Sequence, residues 1–127
     1  MKNNITTYLL LIIFASFNVC NSSANEFLFD TTEINILDNG NTINATDGIA
    51  KSIKDNIEIE AEKFEYIKNL SILNTSKGTL KATQDALEIK ADKFQYNTSK
   101  STIEGIGNVE IKNLKNNVII QSEKIFY

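Results

Sequence analysis

The sequence predicts an all-β fold built from a repeat of about thirty residues, and three observations carry that prediction. The stretch IEIEAEKFEY at 57–66 returns as LEIKADKFQY at 87–96 and, more diverged, as VIIQSEKIFY at 118–127. Within the copies, apolar and charged residues alternate: Ile57, Ile59 and Ala61 are interleaved with Glu58, Glu60 and Glu62, and Leu87, Ile89 and Ala91 with Glu88, Lys90 and Asp92. Such a period of two places one face of a strand against a core and the other in water. Between the copies lie short runs of Asn, Ser, Gly and Lys, the composition of turns. A fixed period decides an architecture before any single element does.

The chain of 127 residues is the size of one domain. With 42% hydrophobic and 23% charged residues it has the balance of a folded protein, not of a disordered one. Its basic residues are all lysines, and the net charge is -3. Without arginine forks for phosphate, and with that sign of charge, nucleic acid is not an expected partner.

Residues 1–24 read as a cleavable signal peptide. Lys2 supplies the positive start, Tyr8 to Phe17 the short apolar core, and Ser22 to Ala24 the small residues of a cleavage site. The apolar run falls short of the ~20 residues of a membrane span. The sole cysteine, Cys20, lies inside this segment, so the domain at 25–127 is expected to be exported and to fold without disulfides.

Taken in order, the elements begin with a diverged copy. Counting back thirty residues from Ile59 and Tyr66 reaches Phe29 and Ile36, within FDTTEINI. The strand IEIEAEKFEY follows, then a connection, a strand such as SILN, a glycine and a strand such as TLKA. The second full unit runs LEIKADKFQY, NTSK, STIEG and NVEI, and glycines mark the same phase at Gly48, Gly78 and Gly107. After Ala61 and Ala91 the parity changes, because Phe64 and Tyr66, or Phe94 and Tyr96, are out of step with the preceding apolar set. That shift predicts a bend or bulge where each strand turns a corner. Glu, Lys and Ala also favour helix, but helical spacing would put Ile57 and Ile59 on different faces. One-sided strands must bury their apolar face, which leaves a two-layer sandwich, a jelly roll or a solenoid-like stack.

Catalytic chemistry finds little support. With no histidine and a single cysteine in the signal segment, the common nucleophile–base pairs and transition-metal sites lack their residues, so no enzyme, metal or cofactor is expected. The row Glu58, Glu60, Glu62 reads as a solvated strand face, without the glycine-centred loop of a calcium site. GIGN at 105–108 lies between strands and reads as a turn.

The remaining asset is the apolar face. By parity, Ile34, Ile36, Ile43, Ile57, Ile59, Ala61, Phe64, Tyr66, Leu87, Ile89, Ala91, Phe94, Tyr96, Val109 and Ile111 point inward. They form either an ordinary packed core or, with the sheets partly splayed, a trough for acyl chains. Each sheltered methylene contributes roughly 0.8 kcal/mol. The rival to that trough is a dry structural repeat, a β-solenoid segment of an exported surface protein.

The signal segment followed by ATDGIAKSIKDNIEIEAEKFEY, IKADKFQYN and GIGNVEI resembles the organic-solvent-tolerance (OstA-like) domain family of lipopolysaccharide-transport proteins. The likeness spans residues 27–127. It is nearest to the periplasmic N-terminal domain of LptD-type assembly proteins, because DTTEINILDNG follows the signal so closely; the free LptA-type bridge comes next. The resemblance implies a V-shaped β-jelly roll of two antiparallel sheets that shelters the acyl chains of lipopolysaccharide. It also implies head-to-tail docking with other OstA-like domains through edge strands, which this family uses for β-augmentation. By position those edges carry Phe27 and Phe29 at one end and Ile120, Ile125 and Tyr127 at the other. A periplasmic location, beside the outer membrane for the LptD type, follows from the same likeness. The copy that stops at Tyr127 is expected to continue in the intact protein.

Overall fold

The computed structural model describes residues 27–127, in which seven antiparallel strands follow one another as a meander. They are β1 (Leu28–Leu37), β2 (Thr42–Ser52), β3 (Ile57–Ile67), β4 (Ile72–Ala82), β5 (Leu87–Asn97), β6 (Thr102–Asn113) and β7 (Ile119–Phe126). The all-β prediction holds, and the thirty-residue repeat is a pair of strands with its turns: β2, β4 and β6 begin at Thr42, Ile72 and Thr102. One detail is corrected. SILN and TLKA are not separate strands, because β4 runs through both, and β6 likewise runs from Thr102 past Gly107 to Asn113. The signal segment at 1–24 lies outside the described residues.

Four-residue turns join the central strands, and each ends on a left-handed residue. Asn56, Ser71, Ala86 and Ser101 have φ of 52°, 55°, 54° and 52°. A residue with positive φ at that place reverses the chain with the twist that paired strands require.

Midway along every strand the ladder breaks. Between β2 and β3 pairing passes from Thr46↔Lys63 to Gly48↔Ala61, and between β4 and β5 from Ser76↔Lys93 to Gly78↔Ala91. The β5–β6 and β6–β7 ladders shift register at the same level. There the inward series steps by three residues instead of two, as from Ala61 to Phe64 and from Ala91 to Phe94. These are the corners predicted from parity. Asp47 and Asn108 adopt φ of 47°, and Gly107 of 78°, to make the bend. Glycine is needed at Gly48 for a second reason: a Cβ there would stand 2.1 Å from the Asp30 carbonyl oxygen.

The corners lie on one line, so the hydrogen-bonded sheet folds over into two layers with a shared interior. Phe27, just before β1, packs edge-on against Tyr66 of β3 and Tyr96 of β5, with ring centroids 5.1 and 5.5 Å apart. Phe29 meets Phe64 the same way at 5.9 Å. The first half of β1 therefore lies over the second halves of β3 and β5. The layers are offset by about two strands, a displacement that shapes the site.

Candidate functional site

Residues directly opposite in paired strands share a face, so the register assembles the inner lining row by row. In the first layer one row reads Phe29, Ala50, Ile59, Leu80, Ile89, Ile111 and Ile120, one residue from each strand. In the second layer a row reads Ile36, Ile43, Tyr66, Leu73, Tyr96 and Ile103. Tyr127 extends it, exchanging two 2.9 Å backbone hydrogen bonds with Ile103. A third row reads Ile34, Ala45, Phe64, Thr75, Phe94, Gly105 and Ile125. Only Thr75 interrupts the apolar character of these rows, and its buried hydroxyl has no hydrogen-bond partner.

The middle of the lining is closed. Ile57, Ile59, Ala61, Phe64, Tyr66, Ile89, Ala91, Phe94, Tyr96 and Val109 are buried, while Ile43, Leu87 and Ile111 pack partly buried against them. The two ends are open. Ile34 and Ile36 share the inward rows yet are 47% and 64% exposed, and Ile120 at the opposite end is 55% exposed. The offset of the layers explains both: the second half of β1 and the first half of β7 have no layer across from them. Phe27 and Phe29, expected at a docking edge, turn their rings into the interior. Ile125 is partly buried, and Tyr127 closes a row.

A polar rim ties the layers together where sequence reasoning placed nothing. The Tyr96 hydroxyl donates to Asp55 in the β2–β3 turn and lies 3.4 Å from the Ser52 hydroxyl. Asp55 also accepts from Ser101 Oγ at 2.9 Å, and Lys54 Nζ donates to the Thr98 carbonyl at 3.2 Å. One repeat later the Tyr127 hydroxyl donates to Asp85. Burial raises the Tyr127 hydroxyl from its ordinary value to about 12, helped by the hydrogen bond and negative charge of Asp85. The signal was present in the sequence: Asp55 and Asp85 stand one period apart, as do Tyr96 and Tyr127.

The outer face is charged. Lys51, Glu58, Lys81, Glu88 and Lys112 alternate across five strands, with a 2.9 Å ion pair between Lys51 and Glu58. Glu60 and Glu62, the other members of the carboxylate row, are exposed, as a solvated face requires. The row ends on exposed apolar residues of the edge strands, Leu28 and Ile119. A shallow groove of about 720 Å³ crosses the corner between Asp47, Glu60, Glu62, Lys77, Lys90 and Asp92. Among the described residues no group of three or more His, Cys, Asp or Glu is placed to hold a metal ion. No described helix is long and apolar enough to cross a membrane.

No protein-family model matches the chain, and no curated protein sequence matches it. A solved structure does. The crystal structure of LptH from Pseudomonas aeruginosa superposes with a TM-score of 0.67 at 11% identity, over 80% of this chain and 74% of that one. That protein is described as the LptA-homologous periplasmic component of the conserved lipopolysaccharide transport device. At this identity the likeness is one of fold: the chain is an all-β roll of the LptA type.

Proposed function

We propose that the chain is a non-catalytic periplasmic domain of the OstA-like kind, sheltering the acyl chains of lipopolysaccharide and passing them between neighbouring domains of the same fold. One observation carries this reading. The inward rows run from strand to strand across the sheet, apolar but for Thr75, and each has one end left uncovered: Ile34 and Ile36 on β1, and Ile120 on β7. Edge strands of soluble proteins are ordinarily blunted by charge. Here Leu28, Ile34, Ile36 and Leu37 on β1, and Ile119, Ile120 and Phe126 on β7, are exposed instead. The uncovered half of β1 in one domain and of β7 in the next supply each other's missing layer, so apposed ends make one lining from two. The fold of LptH, itself a lipopolysaccharide-transport component, agrees with this reading.

The lipid-lining residues in this proposal are the inward set, led by Ile34, Ile36 and Ile43 at the open end; the docking strands are β1 and β7. Within the family, the sequence after the signal segment favours the N-terminal domain of an LptD-type assembly protein over a free bridge. The reading frame beyond Tyr127 tests that choice: strands of a membrane barrel in frame support it, and their absence overturns it.

Photo-crosslinking in living cells tests the function itself, with the probe at Ile36 (inward, exposed) and at Asn35 (its outward neighbour). Lipopolysaccharide adducts at Ile36 and not at Asn35 are expected. Adducts at neither position, from folded exported protein, would leave the packed structural repeat as the better account. The complete burial of Ile59, Leu80 and Ile89 favours that second reading.

A further inference from the structure

The interior that the proposed function assigns to acyl chains is shut along its middle. Leu73, Leu80, Ile89 and Tyr96 are wholly buried, so a chain entering there must first part the layers. Along the corner the layers are joined by the covalent chain itself and cannot separate. Parting is therefore possible only at the opposite rim, where the turns of the first layer meet the strand ends of the second. What holds that rim is polar and periodic.

We propose that the two tyrosine–aspartate pairs, Tyr96 with Asp55 and Tyr127 with Asp85, are clasps that control opening of the rim to an acyl chain. This inference rests on the lipid-sheltering reading above. Each pair joins a turn of the first layer to a strand end in the second, across 41 and 42 residues of sequence. Each recurs at the repeat period, so the contact belongs to the design of the unit. Tyr96 is fixed by its ring in the aromatic row beside Phe27, while its hydroxyl reaches the rim. The Asp55 clasp is the stronger, because Ser101 and the Lys54–Thr98 contact brace the same turn. A hydrogen bond to a carboxylate suits a clasp: it is worth more than a neutral one, yet water replaces it when the rim opens. The apolar rows on either side gain from closure whether they meet each other or a lipid, so they do not by themselves set the rate of opening.

The test is stopped-flow uptake of an environment-sensitive fluorescent fatty acid by the 127-residue chain and by three variants. Tyr96→Phe keeps the ring and removes the clasp; Asp55→Ala removes it from the other side. Thr83→Ala serves as control, since it loses a 3.1 Å hydrogen bond to the Asn56 carbonyl that does not join Tyr96 to its turn. Circular dichroism establishes that each variant keeps its strands. Uptake and release about tenfold faster in both clasp variants, with wild-type rates in the control, is the expected result; tenfold corresponds to about 1.4 kcal/mol. Wild-type rates in both clasp variants would overturn the clasp and leave the lipid reading standing. A wild-type chain that takes up no fatty acid would overturn the lipid reading and the clasp with it.

Discussion

Single residues in this roll answer to a backbone period as well as to a side-chain pattern. Of the four left-handed residues that end the turns between the central strands, Asn56, Ser71 and Ser101 carry small polar side chains, and Ala86 does not. A left-handed L-residue costs roughly 1–2 kcal/mol, and glycine escapes the clash at the expense of some chain entropy. Ala86→Gly is therefore expected to stabilise the fold by about 1 kcal/mol, read as a higher urea midpoint with an unchanged slope. A lower midpoint would show that the turn is held by more than its φ. In the interior, Thr75 is the exception to the apolar rows, and nothing among its neighbours accounts for its unpartnered hydroxyl. The inward identity of Ile59, Phe64, Ile89 and Phe94 was legible in the sequence because strand parity alone sets it. The exposure of Ile34 and Ile36, on the same rows, was not, because exposure depends on what lies opposite.

At the scale of the element, each strand is one object with a corner, not two strands around a glycine. The sequence showed the corner as a change of parity after Ala61 and Ala91, but a change of parity looks the same whether the chain bends or begins a new strand. Pairing on both sides decides it, since β4 keeps β3 and β5 as neighbours through both of its halves. The end of the last strand carries a pH prediction. The Tyr127 hydroxyl, pushed up to about 12 by burial and by Asp85, holds its proton more tightly in the folded chain than the ordinary value near 10. Its contribution is complete below about pH 10 and is lost as pH rises toward about 12. The measurement is a comparison: the fall in thermal stability from pH 9 to 12 should be shallower in Tyr127→Phe than in the wild type. Equal slopes would mean that the Asp85 contact does not form in solution.

For the whole molecule the controlling quantity is the offset between layers. It covers Phe27 with the ends of β3 and β5, and it leaves apolar rows unfinished on β1 and β7. Exposed apolar edges invite pairing, and lysine on an edge strand prevents it. Ile36→Lys and Ile120→Lys, separately, are expected to abolish concentration-dependent self-association in light scattering while leaving the β circular-dichroism signal intact. A wild-type chain that stays monomeric at every concentration would sink docking between copies of this chain. Their exposure explains why the edits can be tolerated: both residues are the uncovered ends of their rows, so neither change buries a charge.

Strand class, the thirty-residue period, the inward face and the corners were determined by the sequence alone. Each is local: a period of two sets the face, turn residues set the reversals, and a step of three sets the bend. The tertiary structure decided what the period could not. It set which half-strand lies over which, and so closed the middle and opened the ends. It also brought Asp55 to Tyr96 and Asp85 to Tyr127, contacts made only because the folded layers are displaced by about two strands. Local chemistry writes the lining of this roll, while the displacement of one layer against the other chooses which parts of it meet solvent.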